Sequence, residues 1–501
     1  YKRQGFDIVI GNPPYVRQEL IRDPCGARRG KTVGDNRRYK AQLARSVYAA
    51  WPRTFGYDRV MDRAQWRLDA RSDLYIYFYL HSLSLLNREG ILCFITSNAW
   101  LDVQYGRDLQ EFLLTRGRVK LIMANEARRS FPSANVNTVI GLMGSAEDGE
   151  AASPASLEHV ARFVMLTVPY EQVLRPAIWE AVSSATCRYA TAEWRVVPQR
   201  QGRLLESGMD PEKRRFQGDK WGGKYLRAPH VYWVVRDRSK EKLVRLGSMT
   251  DVRRGITTGA NAFFFLDSEQ AANWGIEEEF LVPAMKSPRR CPRIWLESDR
   301  SAPAYLFLCH RERDEIQGTR ALEYIRYGEA EGIHLRQTCR SRCRWYDLGN
   351  RSGVRLHCNY LVDQVMRFYA SSHPLLASDN FQEIHSDEEP ELLAAACNST
   401  ICQLSVNVLG RSNFGGGLLK VQTYEVKDLL IPDPLLLDDG VRDLVRSAGL
   451  LSLQDPERRA LDEVVFDLLG LTTGERDAVC EAVSQLVSTR LSRAQTARSP
   501  L

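Results

Sequence analysis

Phe6-Asp7-Ile8-Val9-Ile10-Gly11-Asn12-Pro13-Pro14-Tyr15 is the stretch on which the reading of this chain turns. Its apolar run is the length of a buried strand, and Gly11-Asn12-Pro13-Pro14 stops it in a rigid loop. Working outward, a basic, polar stretch follows from Arg17 to about Arg45. Asp73 to Leu86 has apolar residues recurring at three and four, the pattern of an amphipathic helix, and Asn87-Arg88-Glu89-Gly90 closes it. Gly90 to Ile95 reads as a second buried strand, Leu109 to Leu114 as a helix, and Val119 to Met123, Val136 to Met143 and Arg162 to Val168 as further strands. Alternation of apolar strands with amphipathic helices predicts an α/β layer on a largely parallel sheet.

The loop after the first strand has a chemistry of its own. Two prolines fix φ and remove two N–H donors, so the loop presents carbonyls, and the Asn12 amide oxygen adds another acceptor. Two acceptors held side by side suit an exocyclic amine with two N–H donors. Tyr15 supplies a flat ring for stacking. Adenine fits that description. Its amine is a poor nucleophile until hydrogen bonds to both protons localise the nitrogen lone pair. A base presented this way has left its duplex, at a cost of a few kcal/mol, and stacking on an aromatic returns roughly 1–3 kcal/mol. The plainer alternative is an Asn-Pro turn that merely ends a strand; the preceding strand and glycine favour the chemical reading.

Composition frames both. The 501 residues are 44% hydrophobic and 26% charged, as in an ordinary globular protein of two or three domains. No apolar run reaches the ~18 residues that span a bilayer. The net charge of +7 and pI near 8.8 permit a polyanion partner without demanding one. Eleven cysteines without a signal peptide predict a reduced, cytoplasmic protein rather than a disulfide framework. Cys339 and Cys343, with His334, His357 and Cys358, lack the paired spacing of a zinc site, so no metal is expected. Gly26-Ala27-Arg28-Arg29-Gly30-Lys31-Thr32 imitates a phosphate loop but is one residue short, and no buried strand leads into it.

The quoted stretch resembles the catalytic strand and loop of adenine-specific DNA methyltransferases of restriction–modification systems, in the large form that carries methylation and target recognition on one chain. Asp73-Leu74-Tyr75 with its helix, then Gly90-Ile91-Leu92-Cys93-Phe94-Ile95-Thr96-Ser97-Asn98, is similar to the family's next helix–strand unit. Phe131-Pro132-Ser133-Ala134-Asn135 resembles the motif whose aromatic helps hold the flipped base, which makes Phe131 a second wall of the pocket. Arg254-Gly255-Ile256-Thr257-Thr258-Gly259-Ala260-Asn261, Trp345-Tyr346, Asn413-Phe414-Gly415-Gly416-Gly417 and Leu429-Leu430-Ile431-Pro432 look like landmarks of the target-recognition domain.

The resemblance implies a partial Rossmann-like methyltransferase sheet, then a mixed α/β target-recognition domain and a C-terminal helical segment. The boundaries expected are 1–170 for the catalytic half, 171–230 for a linker, 231–435 for DNA recognition and 436–501 for the helical end. It makes Asn12, Pro13, Pro14 and Tyr15 catalytic, and Arg253, Arg254, Thr258, Asn261, Asn413 and Lys420 candidates for contact with double-stranded DNA. It also implies S-adenosylmethionine as methyl donor. In this family the donor sits on a glycine-rich loop upstream of the catalytic motif, whereas this chain reaches its first strand within six residues of Tyr1. The expectation is therefore that most of the donor site lies on an upstream polypeptide or subunit. Two alternatives remain at this point: a protein-glutamine or RNA-guanine methyltransferase, and an inactive DNA-binding fragment.

Overall fold

In the computed structural model, which describes residues 5–24, 33–128, 130–131, 136–210, 214–297, 304–411 and 417–496, the apolar run forms strand β1 (Phe6–Gly11). It pairs in parallel with β2 (Leu86–Ser97), Ile8 opposite Ile91 and Ile10 opposite Cys93. Between them lie α1 (Val33–Ala50) and α2 (Leu74–Leu83). After β2 come α3 (Arg107–Arg116), β3 (Arg118–Asn125), β4 (Thr138–Gly144), β5 (Val160–Leu166), α4 (Pro176–Ser184), β6 (Tyr189–Ala190) and β7 (Trp194–Arg200). The sheet order is β1-β2-β4-β3-β5-β7-β6.

This sheet is not largely parallel, as the alternation suggested. Only β1–β2 and β3–β5 run parallel; β4 lies antiparallel between β2 and β3, and β7 lies antiparallel beside β5. The physical reason is the connection. Parallel neighbours need a crossover of a dozen or more residues, usually helical. The short segment 126–137 between β3 and β4 carries no helix among its described residues, so the chain turns back on itself.

One face of the sheet is well packed over its central strands. Tyr79 of α2 packs on Phe94 and Trp100, and Trp221 sits between Trp100 and Phe163 with ring centroids 5.9 and 5.6 Å away. Trp221 and β7 both lie in the stretch 171–230 expected to be a linker. That stretch is instead part of the first unit: residues Tyr1–Ala228 cluster as one unit and Pro229–Leu501 as a second.

The other face is covered only in part. Over β3, β5 and β7, Met123, Val164 and Val196 pack with Ile178 and Val182 of α4. Toward β1 the apolar side chains stand open: Phe6, Ile8 and Ile10 are 62%, 67% and 76% exposed, and Ile91, Cys93 and Ile95 beside them are half-buried. Among the described residues, β1 has a ladder partner on one edge only.

The second unit is built on an eight-stranded mixed sheet. Its path runs β8 (Asp251–Arg254), β15 (Phe381–His385), β13 (Val354–Asn359), β14 (Phe368–Ala377), β10 (Leu281–Met285), β12 (Ala304–Phe307) and β9 (Phe265–Leu266), with β11 (Trp295–Leu296) also on β14. Phe263 stacks on Tyr324 at 4.4 Å in an aromatic core that includes Trp345 and Tyr346. The last stretch from 436 is largely helical over its described residues, and it belongs to this unit. Buried Arg458 donates to the Asn398 carbonyl at 2.6 Å, and buried Asp462 accepts from the Thr400 amide at 2.7 Å. These two side chains tie helix α7 (Pro456–Leu469) to the junction of α5 (Pro390–Asn398) and α6 (Thr400–Leu409). Among the described residues no single helix is long and apolar enough to cross a membrane; α5 and α6 reach that length and apolarity only as a pair bent by 64°.

Two titratable groups sit opposite one another in this sheet. His357 and Glu383 are cross-strand partners, and both are buried. Burial pushes the His357 imidazole down to about 3 and the Glu383 carboxyl up to about 7. The signs oppose. An unfolded histidine protonates below 6.5, so the His357 contribution is present above that pH and lost as pH falls toward 3. Unfolded glutamate ionises near 4.5, so Glu383 costs stability as pH rises from there through 7. We expect His357→Leu to flatten the acid limb of a denaturation-midpoint-against-pH curve. Glu383→Gln should flatten the fall between about 4.5 and 7, by up to roughly 3 kcal/mol. Parallel curves for wild type and both variants would contradict the assignment.

Candidate functional site

The loop that leaves β1 is held from below and open above. Gly11 closes the strand against β2; a Cβ there would lie 3.1 Å from the Phe94 ring. Pro13 is buried, whereas Asn12 and Pro14 are exposed. Tyr15 donates its hydroxyl to the Ile95 carbonyl at 3.1 Å, tying the loop to β2. Burial pushes the Tyr15 phenol up to about 12, so it keeps the proton that makes this bond.

The next residues are pinned to the start of α2. Leu74 N–H donates to the Val16 carbonyl at 3.0 Å, and Gln18 N–H donates to Asp73 Oδ1 at the same distance. The second carboxylate oxygen of Asp73 accepts from Tyr105 at 2.6 Å, and Tyr105 is 2.9 Å from the Tyr75 hydroxyl. Asp73 is the residue preceding α2, yet its side chain makes no cap bond to that helix. It is committed to the loop instead. Burial raises its carboxyl above the usual range, while the bonds from Tyr105 and Gln18 act against that rise.

Phe131 lies beside this loop. Its ring centroid is 6.3 Å from that of Tyr15, with the planes 61° apart. The rings touch edge to face. The loop thus places the exposed Asn12 amide close in sequence to Tyr15, whose ring meets that of Phe131.

The residues named for DNA recognition divide in the second unit. Arg254 lies with its guanidinium carbon 4.9 Å from the Tyr360 ring centroid, and Lys420 Nζ lies 5.0 Å from the same centroid. Arg254 also faces Asp379 at 3.5 Å, and Asn261 donates to the other oxygen of that carboxylate at 3.3 Å. Thr258 donates to Asn261 Oδ1 at 2.5 Å, but only 1% of Thr258 is exposed. It orients Asn261 and has no surface to offer a duplex. Arg253 points to the other side of β8 and pairs with Asp251 at 2.8 Å. Asn413 and the phosphate-loop imitation at 26–32 lie outside the described residues. Cys339 is buried against the Thr258 carbonyl, Cys343 is exposed, and His357 and Cys358 sit on β13. Among the described residues no three such side chains converge as metal ligands.

Sequence reading missed Asp73 and Tyr105 as anchors of the loop, and Tyr360 and Asp379 as the centre of the second cluster. Asp73 had a signal, an aspartate at a helix start, but that pattern ordinarily denotes a cap. The loop anchors give a test. Asp73→Ala leaves the Gln18 amide and the Tyr105 hydroxyl without their acceptor, at a cost of about 1–3 kcal/mol. Amide exchange at Gln18 should accelerate while that of β2 stays slow; unchanged exchange at Gln18 would show the anchor is dispensable.

Comparison with known proteins gives the following. A family model described as Eco57I restriction-modification methylase matches residues 1–50 and 58–131, and one described as the C-terminal domain of the type II methyltransferase M.Eco57I matches 218–464. The chain is 25% identical over 290 residues to the type II methyltransferase M.BstVI of Geobacillus stearothermophilus, covering 56% of this chain and 40% of that protein. It is 20% identical over 444 residues to the type II methyltransferase M.XamI of Xanthomonas campestris pv. amaranthicola, covering 85% of this chain and 68% of that one. Among solved structures, the type IIL restriction-modification enzyme MmeI in complex with DNA matches with a TM-score of 0.49 at 12% identity, covering 96% of this chain and 57% of that one.

Proposed function

Because the chain belongs to the Eco57I family of restriction-modification methylases, we propose that it is the acceptor-binding and target-reading part of a site-specific DNA methyltransferase, one that moves a methyl group from S-adenosylmethionine to the N6 amine of adenine. The observation that carries the reading is the loop after β1: Asn12 exposed, Pro13 fixed beneath it, and the Tyr15 and Phe131 rings in contact alongside.

Each residue then has a task. The Asn12 amide oxygen and the Pro13 carbonyl accept from the two protons of the amine. That draws the nitrogen toward tetrahedral geometry and localises its lone pair. Tyr15 stacks on the flipped base, and its bond to Ile95 fixes the height of that ring against the acceptors. Asp73, through Gln18, keeps the far end of the loop from drifting. S-adenosylmethionine supplies the electrophilic methyl.

The exposed apolar side chains of β1 do not fit that donor's polar groups. Phe6, Ile8 and Ile10 are apolar and offer nothing to its hydroxyls or charges. What they fit is another strand along the open edge of β1, with a helix over the bare face. We therefore place the donor site on polypeptide that adds to β1, and accordingly expect little or no binding of S-adenosylmethionine to these 501 residues by calorimetry; tight binding would overturn this placement. The DNA reading of the second unit rests on the exposed Arg254 and on Lys420 beside the same ring.

The activity test uses the protein completed by its donor-binding half, with labelled donor offered to DNA, RNA and protein in parallel. Label is expected in DNA, on adenine N6. Asn12→Ala should keep DNA binding and lose roughly a hundredfold or more in methyl transfer. Full transfer by that variant would refute the role of Asn12. Label in protein or RNA instead would move the substrate to a glutamine amide or a guanine amine.

A further inference from the structure

We propose that Arg254 reads the edge of a guanine in the target duplex and that Tyr360 and Asp379 are the positioning residues that hold it for that task. This rests on the DNA reading of the second unit given above, and it names the residues and the base.

The cluster is firmly built. Tyr360 follows β13 and is fixed at three points. Its amide donates to the Asn380 carbonyl at 3.0 Å, its carbonyl accepts from Val421 at 3.3 Å, and its hydroxyl accepts from Gln422 at 3.1 Å. The turn that carries Asp379 is packed as closely. Asp379 N–H donates to the Ile256 carbonyl at 3.1 Å, and a Cβ at Gly255 would fall 2.2 Å from the Ser378 carbonyl oxygen. Only glycine lets β8 approach this turn, so Arg254 is carried to a fixed place.

The side chains complete the alignment. Buried Thr258 orients Asn261, Asn261 holds one oxygen of Asp379, and the other oxygen faces Arg254. At 3.5 Å that contact is long and leaves most of the guanidinium fork unspent. The Arg254 side chain is 51% exposed. A planar fork resting on an aromatic ring, steered by a carboxylate on one side and open on the other, matches the N7 and O6 acceptors of guanine in the major groove. Lys420 brings a second cation to the same ring. A compact ammonium there suits the phosphate next to the contacted base. Arg253, one residue away, lacks this arrangement: its Nε is already bound to Asp251 at 2.8 Å.

The test is enrichment from a pool of duplexes with a randomised core, using the purified 501-residue chain. Wild type should enrich a motif containing an invariant guanine. Arg254→Ala and Asp379→Ala should each lower the preference for guanine at one position by about tenfold while other positions hold. Tyr360→Phe, which keeps the ring, should retain that preference; Tyr360→Leu should lose it with no comparable fall in melting temperature. Lys420→Ala should weaken binding to every duplex alike and reduce its salt dependence. An unchanged motif in both Arg254→Ala and Asp379→Ala would overturn the inference and leave DNA recognition standing. Failure of wild type to enrich any motif would overturn the DNA reading and this inference with it.

Discussion

The hydrogen bond from Tyr15 to the Ile95 carbonyl is the constraint on which the first unit's site depends. It joins the loop after β1 to the neighbouring parallel strand. Without it the aromatic ring would have no fixed height relative to the Asn12 and Pro13 acceptors. Everything around it serves the same end. Gly11 lets β1 close against Phe94, Val16 is tied to Leu74, and Gln18 to Asp73. A loop with two adjacent prolines has few internal bonds to stabilise itself. Its order comes from the helix and strand beside it.

Much of this was legible because the local pattern and the tertiary role agree. Val9, Leu92 and Phe94 are apolar because one face of the sheet is packed, and the strand–Gly–Asn-Pro-Pro-Tyr run marks both the strand end and the rigid loop. Apart from α1, which falls largely in the stretch read only as basic and polar, the main elements of the first unit through β5 lie close to where periodicity puts them. The direction of β4 was not legible: an apolar run looks the same whether it runs up or down the sheet. Nor was the packing of 171–228. Trp221 is one of several aromatics in a stretch of poor periodicity, and only the fold brings it to Trp100 and Phe163.

The second unit shows the same limit more sharply. Arg254, Asn261 and Lys420 stood out as polar residues in recognisable segments, but what organises them did not. Tyr360 and Asp379 are single residues in connections, more than a hundred positions from Arg254. No spacing rule joins them; the pairing of β8, β13 and β15 does. Thr258 is the instructive error. Its hydroxyl looked available in sequence, and burial has turned it inward to orient Asn261.

The open flank of β1 has a practical consequence. Among the described residues the outer edge of β1 has no ladder partner, and with Phe6, Ile8 and Ile10 exposed it is a template for any extended segment it meets. Two copies of this chain present the same template to each other. Handled by itself at high concentration, it is prone to edge-to-edge association in solution, growing with concentration and quenched by charge at position 8 or 10. A purification that yields aggregates would then be reporting on this exposed edge and not on a failure of the core to fold.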